Sequence, residues 1–477
     1  MRALAVAVAL AATGAAGLRW LRVAQREHYL PGSVTRFALR WWGLGANRLL
    51  ALAAVLGVLF CRRSPLAGVV GSLAVATGPF GLSVQGRTSP LAWTRRLRTL
   101  AATWAVLHLL LVGVGALLGV AVPAAVLGAV LVPLVVDVAL ALTGPVEDRL
   151  ARRWVEQAAT RLRQVRPTVV GITGSYGKTT TKAYVTHLLS GTKQVVATPR
   201  SFNNRAGLAR AVNEHLAPGT EVFVAEMGTY GPGEIAELCR FVPPDIAVIT
   251  AIGPVHLERM GTEENIVAAK SEILGPARVA VLNVEHPLLA RLADRITDKK
   301  VLRCTAAGVG LPVPDGAHPT NVACAVAVAR ELGVPDDVIA ARLADLPTPE
   351  HRLAVTRGAG GFTILDDTYN ANPAGTQAAL AALARHGREG GKRVVVTPGM
   401  VELGARQFEE NRAFAEAAAA VATHLLVVGH TNRAALAVAG TEVLFVETRE
   451  EAVAWVREHL REGDVVLYEN DLPDHYP

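Results

Sequence analysis

A glycine-rich segment that contains a lysine and several threonines, GITGSYGKTT at residues 171–180, points most directly to chemistry. It follows a β-branched run and precedes a stretch that favours a helix, which is the setting of a phosphate-binding loop. The glycines let backbone N–H groups and the helix N-terminus face phosphate oxygens, while Lys178 would reach the β- and γ-phosphates. The Thr179 hydroxyl would bind Mg²⁺. Ile172 stands where G-x-x-x-x-G-K-[ST] has its first glycine, yet the segment still predicts phosphate binding, by a kinase, GTPase, transporter ATPase or ligase.

Glu226 is the next residue that is placed for chemistry, because it lies near the end of an apolar strand predicted at residues 221–227. The carboxyl ends of parallel strands share one edge of a sheet, so its carboxylate is expected beside the phosphate loop. An acid at that position can hold a phosphate-bound Mg²⁺.

Short β-branched runs that alternate with helical stretches indicate which elements position these residues. The predicted strands are 168–173, 221–227, 246–250 and 279–283 in a first series, and 362–367, 393–397, 424–429, 443–446 and 464–468 in a second. This alternation predicts two α/β domains that follow one another. We place a phosphate-binding central domain at residues 166–347 and a Rossmann-like C-terminal domain at 348–477.

Residues 1–143 differ in composition from the rest of the chain. They carry 13 arginines, no lysine and two acids, Glu27 and Asp137, which is a net charge of +11. The whole chain is +7, so the remainder is −4. Because the arginines lie between apolar runs, the basic excess is typical of a membrane protein with basic cytoplasmic loops and does not indicate nucleic-acid binding. The four cysteines show no CxxC spacing, so neither a disulfide framework nor a zinc site is predicted.

The apolar runs predict an α-helical transmembrane anchor over residues 1–143, joined by a connector at 144–165 to the α/β domains. A span needs ~20 apolar residues. The expected spans are 3–18, the two arms of a hairpin at 49–61 and 65–82, and two spans within 99–143. With the arginine-rich loops inside, five spans put the N-terminus outside and the α/β domains in the cytoplasm. Asp137 is expected to snorkel to the cytoplasmic interface.

Several segments together resemble the Mur ligase family. The phosphate loop has its variant T-G-x-x-G-K-T. The other matching segments are EMGTYGPGEI at 226–235, IGPVHLE at 252–258, AAKSEI at 268–273, DDTYNANP at 366–373 and TPGMVELG at 397–404. DDTYNANP agrees at seven of eight positions with D-D-S-Y-N-A-N-P of the branch that adds D-alanyl-D-alanine. The resemblance covers roughly residues 165–470, in the family's order and spacing.

This resemblance implies an ATP- and Mg²⁺-dependent ligase that joins a carboxylate to an amine through an acyl phosphate. The residues it implies for ATP are Gly174, Ser175, Gly177, Lys178, Thr179, Thr180, Asn283, Asn321, Arg352 and Asp367. Those for the metal are Thr179, Glu226 and His256; those for catalysis are Lys178, Lys270, His256 and Arg352; and those facing the amine are Tyr369, Asn370 and Asn372. Lys270 occupies the position at which the family can carry a carbamoylated lysine.

Two departures from the family leave the substrates open. Apolar helices stand where its soluble members have a UDP-sugar-binding domain, and YENDLPD at 468–474 stands where K-G-S-R is usual. We expect a bacterial inner-membrane enzyme that adds D-alanyl-D-alanine or a similar amine to a muramyl-peptide-like acceptor, UDP-linked or lipid-linked. One alternative is a membrane-associated poly-γ-glutamate-type ligase, which has no reason to carry DDTYNANP. Another is an ATP-binding membrane transporter or sensor.

Overall fold

The computed structural model describes residues 1–84, 91–199, 202–314, 317–347, 353–368, 371–437, 440–472 and 476. The chain divides into two compact units. We refer to residues 1–150 with 472–477 as the helical unit, and to residues 151–471 as the α/β unit.

Apolar helices build the helical unit. They are α1 Arg2–Arg26, α2 Ser33–Trp42, α3 Asn47–Phe60, α4 Pro65–Thr77, α5 Arg95–Leu117, α6 Ala121–Val130 and α7 Val132–Val165, the last of which ends in the α/β unit. Helices α3 and α4 pack as a close hairpin, because Gly57 and Gly71 meet where they cross. A Cβ at Gly57 would lie 2.7 Å from the Gly71 Cα, so only small residues permit this approach.

Fewer helices than predicted are suited to cross a membrane. In the described part of the chain, α1 and α5 are long and apolar enough, and the number rises to four if the bent pairs α2–α3 and α6–α7 each count as one span. The prediction of five spans is therefore wrong by this measure. The difference is α4, whose 13 residues rise about 20 Å against a hydrocarbon core of about 30 Å.

Asp137 does not snorkel to an interface as predicted. Its side chain is buried, and its carboxylate accepts hydrogen bonds from the backbone N–H groups of Val34 and Thr35, at 3.3 and 2.8 Å, and from the Thr35 hydroxyl. These N–H groups belong to the first turn of α2, where a helix has no internal acceptors. Asp137 therefore serves as a structural cap of α2.

The first sheet of the α/β unit has six parallel strands in the order β2-β3-β1-β4-β5-β6. The strands are β1 Thr168–Thr173, β2 Val195–Ala197, β3 Val222–Glu226, β4 Ile246–Ile249, β5 Val279–Asn283 and β6 Lys300–Cys304. The helices are α8 Lys178–Leu189, α9 Arg205–His215, α10 Glu234–Phe241, α11 Leu257–Met260, α12 Glu263–Ser271, α13 Pro287–Arg295, α14 Pro319–Glu331 and α15 Asp336–Leu343. Neighbouring residues of β3 enter cores on opposite faces, so helices cover both sides of the sheet.

The second sheet also has six strands, in the order β11-β10-β9-β12-β8-β7, and only β7 is antiparallel to its neighbour among the pairs described. The strands are β7 Ala354–Arg357, β8 Thr363–Asp367, β9 Arg393–Thr397, β10 His424–Val428, β11 Glu442–Val446 and β12 Val465–Glu469. The helices are α16 Pro373–His386, α17 Gln407–Val421, α18 Arg433–Leu436 and α19 Arg449–His459.

The predicted pair of α/β domains is confirmed, and each predicted strand is present to within two residues at either end. Strands β2, β6 and β7 were not predicted. They lie at sheet edges and are only partly buried. Polar residues interrupt the apolar pattern of β6 and β7, and β2 is only three residues long. The proposed domain boundary falls in 348–352, outside the described residues, and stays a prediction.

Candidate active site

The loop between β1 and α8 has the backbone of a phosphate-binding loop. Gly174 and Gly177 have φ angles of 155° and 75°, which residues with side chains rarely adopt. A Cβ at Gly174 would also lie 2.1 Å from the Thr250 hydroxyl, so the chain closes tightly here. The Lys178 ammonium donates to the carbonyl oxygens of Gly174 and Ser175, at 2.8 and 3.3 Å. The lysine predicted to bind phosphate therefore folds back over the loop.

Glu226 ends β3 directly beside the start of this loop, because the sheet register pairs it with Ile172 of β1. Its side chain is buried, and its Oε2 accepts from the Thr179 hydroxyl at 3.1 Å. The two residues predicted to share Mg²⁺ are thus brought together by the sheet and by the first turn of α8.

Two further partners of Glu226 were missed by the sequence analysis. The Lys182 ammonium lies 2.9 Å from Oε2, and the Asn203 amide donates to Oε1 at 3.1 Å. Lys182 follows Lys178 by four residues on a helix, so its position on the same face could have been inferred. No local pattern indicated Asn203, which enters from the segment before α9. The pair of Lys182 and Glu226 is almost fully buried.

His256 follows β4 in a left-handed conformation with a φ angle of 65°. Its Nδ1 lies 2.5 Å from Oε2 of Glu402, which comes from the loop after β9 of the second sheet. The Tyr230 ring packs edge-on against the imidazole, with 5.0 Å between ring centroids. Burial lowers the pKa of His256, the Glu402 carboxylate raises it, and the nearby charges of Lys270 and Lys178 lower it further.

Lys270, on α12, is fully buried. Burial lowers the pKa of its amine well below the ordinary value of 10.5, and the positive charge of Lys178 lowers it further. Since Lys178 and Lys270 also influence His256, the three basic groups lie within electrostatic reach of one another. Such a convergence is suited to a ligand with several negative charges.

The other residues expected to bind ATP occupy different places around the loop. The Asn321 amide lies against Gly177, where a Cβ would be 2.3 Å from its Oδ1. The Ser175 hydroxyl donates to the Gly253 carbonyl at 3.2 Å, so it helps to close the loop against the segment after β4. Asn283, at the end of β5, accepts from the Glu285 N–H at 3.2 Å. Thr180 lies in the first turn of α8.

In the second domain, Asp367 ends β8 and accepts from the Leu353 N–H at 3.2 Å. Asn372 is the N-cap of α16, and its side-chain oxygen accepts from the Gly375 N–H at 2.9 Å. Arg352, Tyr369 and Asn370 lie outside the described residues. The roles of all five residues therefore stay predictions.

The donors present fit a Mg²⁺ ion. The Glu226 carboxylate and the Thr179 hydroxyl are hard oxygen ligands of the kind that Mg²⁺ prefers. Within the described ranges, no three His, Cys, Asp or Glu side chains are grouped so as to hold a metal by themselves. Such a sparse set is usual where Mg²⁺ binds together with a nucleotide, since phosphate oxygens and water complete its shell.

Comparison with known proteins agrees with this geometry. Residues 172–308 match the Mur ligase middle domain, and residues 351–468 match the Mur ligase, glutamate ligase domain. The UDP-N-acetylmuramoyl-tripeptide–D-alanyl-D-alanine ligase of Mycobacterium leprae is 32% identical over 364 residues, which cover 63% of this chain and 70% of the relative. The ligase of the same name from Escherichia coli is 29% identical over 353 residues, which cover 67% and 77%.

Solved structures show the same likeness. MurF of Thermotoga maritima in complex with ADP is 30% identical with a TM-score of 0.60, over 67% of this chain and 80% of that protein. MurF of Acinetobacter baumannii is 25% identical with a TM-score of 0.59, over 67% and 77%.

Replacing Glu226 with glutamine tests the buried charge pair. The variant Glu226→Gln leaves the buried Lys182 ammonium without this carboxylate, and loss of one partner of such a pair costs about 3–5 kcal/mol. We expect a clearly lower midpoint of thermal unfolding, as measured by circular dichroism in detergent. The double variant Glu226→Gln/Lys182→Met should recover most of that loss, because it leaves no buried ammonium without an opposite charge. A single variant as stable as the unaltered protein would contradict this description.

Proposed function

Since this chain belongs to the Mur ligase family and is an ATP-dependent ligase of the acid–amino-acid class, we propose that it adds D-alanyl-D-alanine, or a similar amine, to a carboxylate of a peptidoglycan precursor. The observation that carries this proposal is the phosphate-type loop after β1, where the Lys178 ammonium folds over the loop and the Thr179 hydroxyl donates to the buried Glu226 carboxylate. The DDTYNANP segment and the names of the relatives in M. leprae and E. coli support the choice of amine.

The chemistry explains why the site is basic. A carboxylate oxygen attacks the γ-phosphorus of ATP, ADP leaves, and an acyl phosphate forms. The amine then attacks the acyl carbon and expels phosphate. Carboxylate, phosphates and intermediate are all negative, so Lys178 and the loop N–H groups lower the barrier by holding charge where it develops. Bound Mg²⁺ would neutralise further phosphate charge, and Thr179, Glu226 and His256 are the residues that would hold it.

We assign the remaining expected residues to the same reaction. Arg352 would close on the phosphates, Asp367 would contact the ribose or order Arg352, and Tyr369, Asn370 and Asn372 would receive the amine. Contact between the two α/β domains around the acyl phosphate would keep water from hydrolysing it.

Lys270 is proposed to act as a carbamate. Its buried amine has a strongly lowered pKa, so a larger share of it is neutral and able to add CO₂ with release of a proton. The new carboxylate would place a negative charge next to Lys178, where it would help to orient the γ-phosphate.

The helical unit is proposed to anchor the ligase in the inner membrane of a bacterium, with the α/β unit in the cytoplasm. Large apolar side chains are exposed on its helices, including Leu49 at 70%, Leu109 at 63% and Leu117 at 89%. Apolar exposure of this extent is suited to lipid. Four spans would put Met1 on the same side as the ligase, and five on the opposite side.

A membrane anchor favours a lipid-linked acceptor presented at the cytoplasmic leaflet. Restriction to the membrane surface raises the local concentration of such a substrate without any new contact. A UDP-linked peptide would gain nothing from the anchor. The preference between these acceptors therefore tests what the helical unit contributes.

The experiment is phosphate release by the detergent-solubilised full chain with ATP and Mg²⁺. D-Alanyl-D-alanine, glutamate and single amino acids are offered with UDP-linked or lipid-linked muramyl peptide, and Lys178→Ala serves as the control. We expect turnover to require both D-alanyl-D-alanine and a muramyl peptide, with the lipid-linked form preferred.

Other results would redirect the assignment. Phosphate release with glutamate alone would move the protein to the poly-γ-glutamate ligases. A preference for UDP-linked peptide would remove the lipid-linked acceptor but keep the ligase. Release that is indifferent to every amine would contradict the proposed reaction and reopen the transporter or sensor alternative.

The carbamate is tested by chemical rescue. Lys270→Ala should lower turnover by about 100-fold, the usual loss when one preorganised electrostatic group is removed. Added formate or acetate should restore part of it by placing a carboxylate in the vacated space, whereas Lys178→Ala should not respond. Full turnover of Lys270→Ala without any added acid would contradict a role for this lysine.

A further inference from the structure

Two loops, one from each α/β domain, touch through their backbones near His256. The loop after β9 (residues 398–404) lies against the segment after β4 (residues 250–260), which includes α11. The Glu258 N–H donates to the Glu402 carbonyl at 3.3 Å. Gly404 permits this contact, because a Cβ on it would lie 3.1 Å from the Glu258 nitrogen and its φ angle is 57°.

Glu402 projects from this contact onto two side chains of the central domain. Its Oε2 lies 2.5 Å from Nδ1 of His256, and its Oε1 lies 3.4 Å from Nη2 of Arg259. The His256 and Glu402 side chains are only 17% and 20% exposed. Both residues have left-handed backbones, with φ angles of 65° and 64°, which non-glycine residues seldom adopt. Such backbone on both sides of one short contact points to a functional role for the contact.

The remaining neighbours of His256 fix the plane of its ring. Tyr230 packs edge-on against the imidazole, and the Arg259 guanidinium lies over the Tyr230 ring, 4.9 Å from its centroid. Arg259 thus supports both Glu402 and Tyr230. The ring is held by the carboxylate at Nδ1 and by the aromatic edge at its side.

The position of the carboxylate also selects a tautomer. A carboxylate accepts hydrogen bonds, so the proton of the neutral imidazole resides on Nδ1, and Nε2 is left with its lone pair. A lone pair on Nε2 is what a histidine needs to bind a metal, and a carboxylate on the other nitrogen is its usual support.

We propose that Glu402 is a positioning residue for His256: supplied by the C-terminal domain, it orients the imidazole and presents Nε2 to the nucleotide-bound divalent cation. Lys178, Glu226 and Lys270 all belong to the central domain. The carboxylate that supports His256 does not, because Glu402 belongs to the C-terminal domain. Cation affinity at His256 therefore depends on contact between the loop 398–404 and the central domain. This inference rests on the proposed role of His256 as a metal ligand.

The experiment measures Mn²⁺ binding by electron paramagnetic resonance, with the full chain in detergent and a non-hydrolysable ATP analogue. It needs no turnover and no knowledge of the acceptor. Glu402→Ala should weaken Mn²⁺ binding by about 10-fold or more, which is the usual effect of removing the support of a metal-bound histidine. Glu402→Gln keeps an oxygen that can accept from Nδ1, so it should retain most of the affinity. The glutamine variant also serves as a folding control, in case the alanine variant loses Mn²⁺ binding because it misfolds.

Arg406→Ala is the matched control. Arg406 joins the same two domains through its ion pair with Glu263, at 2.8 Å, and among the described contacts it does not bond His256. If Glu402 acts on the imidazole, Arg406→Ala should bind Mn²⁺ as the unaltered chain does. An equal loss in Arg406→Ala would mean that domain contact alone matters, and this result would overturn the proposal, as would unchanged binding in Glu402→Ala.

His256→Ala separates this inference from the proposed function. It should lose at least as much Mn²⁺ affinity as Glu402→Ala. If His256→Ala binds Mn²⁺ normally, the role of His256 in the proposed function fails, and the inference fails with it. If only Glu402→Ala binds normally, the inference fails and the proposed function stands.

Discussion

The buried charge of Glu226 is the constraint on which the rest of the site depends. A carboxylate with 1% exposure at a sheet edge is costly unless it is paired and hydrogen-bonded. The fold meets this requirement with Thr179 and Lys182 from the first turns of α8 and with Asn203 from the segment before α9. The same contacts fix the start of α8, and therefore the phosphate loop, relative to β3. Glu226, the acid that is suited to bind a cation, is therefore also the residue that positions the phosphate loop.

The second domain contributes through a loop that is itself tightly supported. Asn411 accepts from the Met400 N–H at 2.7 Å, Asn432 donates to the Pro398 carbonyl at 2.9 Å, and Asn470 donates to the Gly399 carbonyl at 2.6 Å. These amides satisfy the backbone of a buried turn. Glu402 therefore reaches His256 from a firm base, as positioning requires.

The sequence was informative where chemistry and local pattern coincide. The β1 strand, the loop and α8 were predicted because glycines, lysine and threonine have fixed spacing there, and Glu226 was placed correctly because strand ends in a parallel sheet share an edge. The partners Lys182, Asn203 and Glu402 were not predicted, since each depends on which segments meet in space. The edge strands β6 and β7 were missed because polar residues interrupt their apolar pattern, and β2 was missed because it has only three residues.

In the helical unit, too, the sequence predicted local patterns better than it predicted contacts between distant segments. Composition separated residues 1–143 from the rest of the chain, but hydropathy overcounted the spans because it does not register the shortness of α4. Asp137 was expected at an interface, and its role as a cap for α2 depends on a contact between segments about 100 residues apart. Lengths of elements and contacts between distant segments come only from the folded chain.

The most direct test of the central claim follows the oxygen atoms of the acceptor. The full chain in detergent is given ATP, Mg²⁺, D-alanyl-D-alanine and a muramyl peptide whose reacting carboxylate carries ¹⁸O, and the released phosphate is analysed by mass spectrometry. Formation of an acyl phosphate predicts that each released phosphate contains one ¹⁸O atom taken from the carboxylate. Phosphate without label would contradict the account, because ATP would then be cleaved without activation of the acceptor.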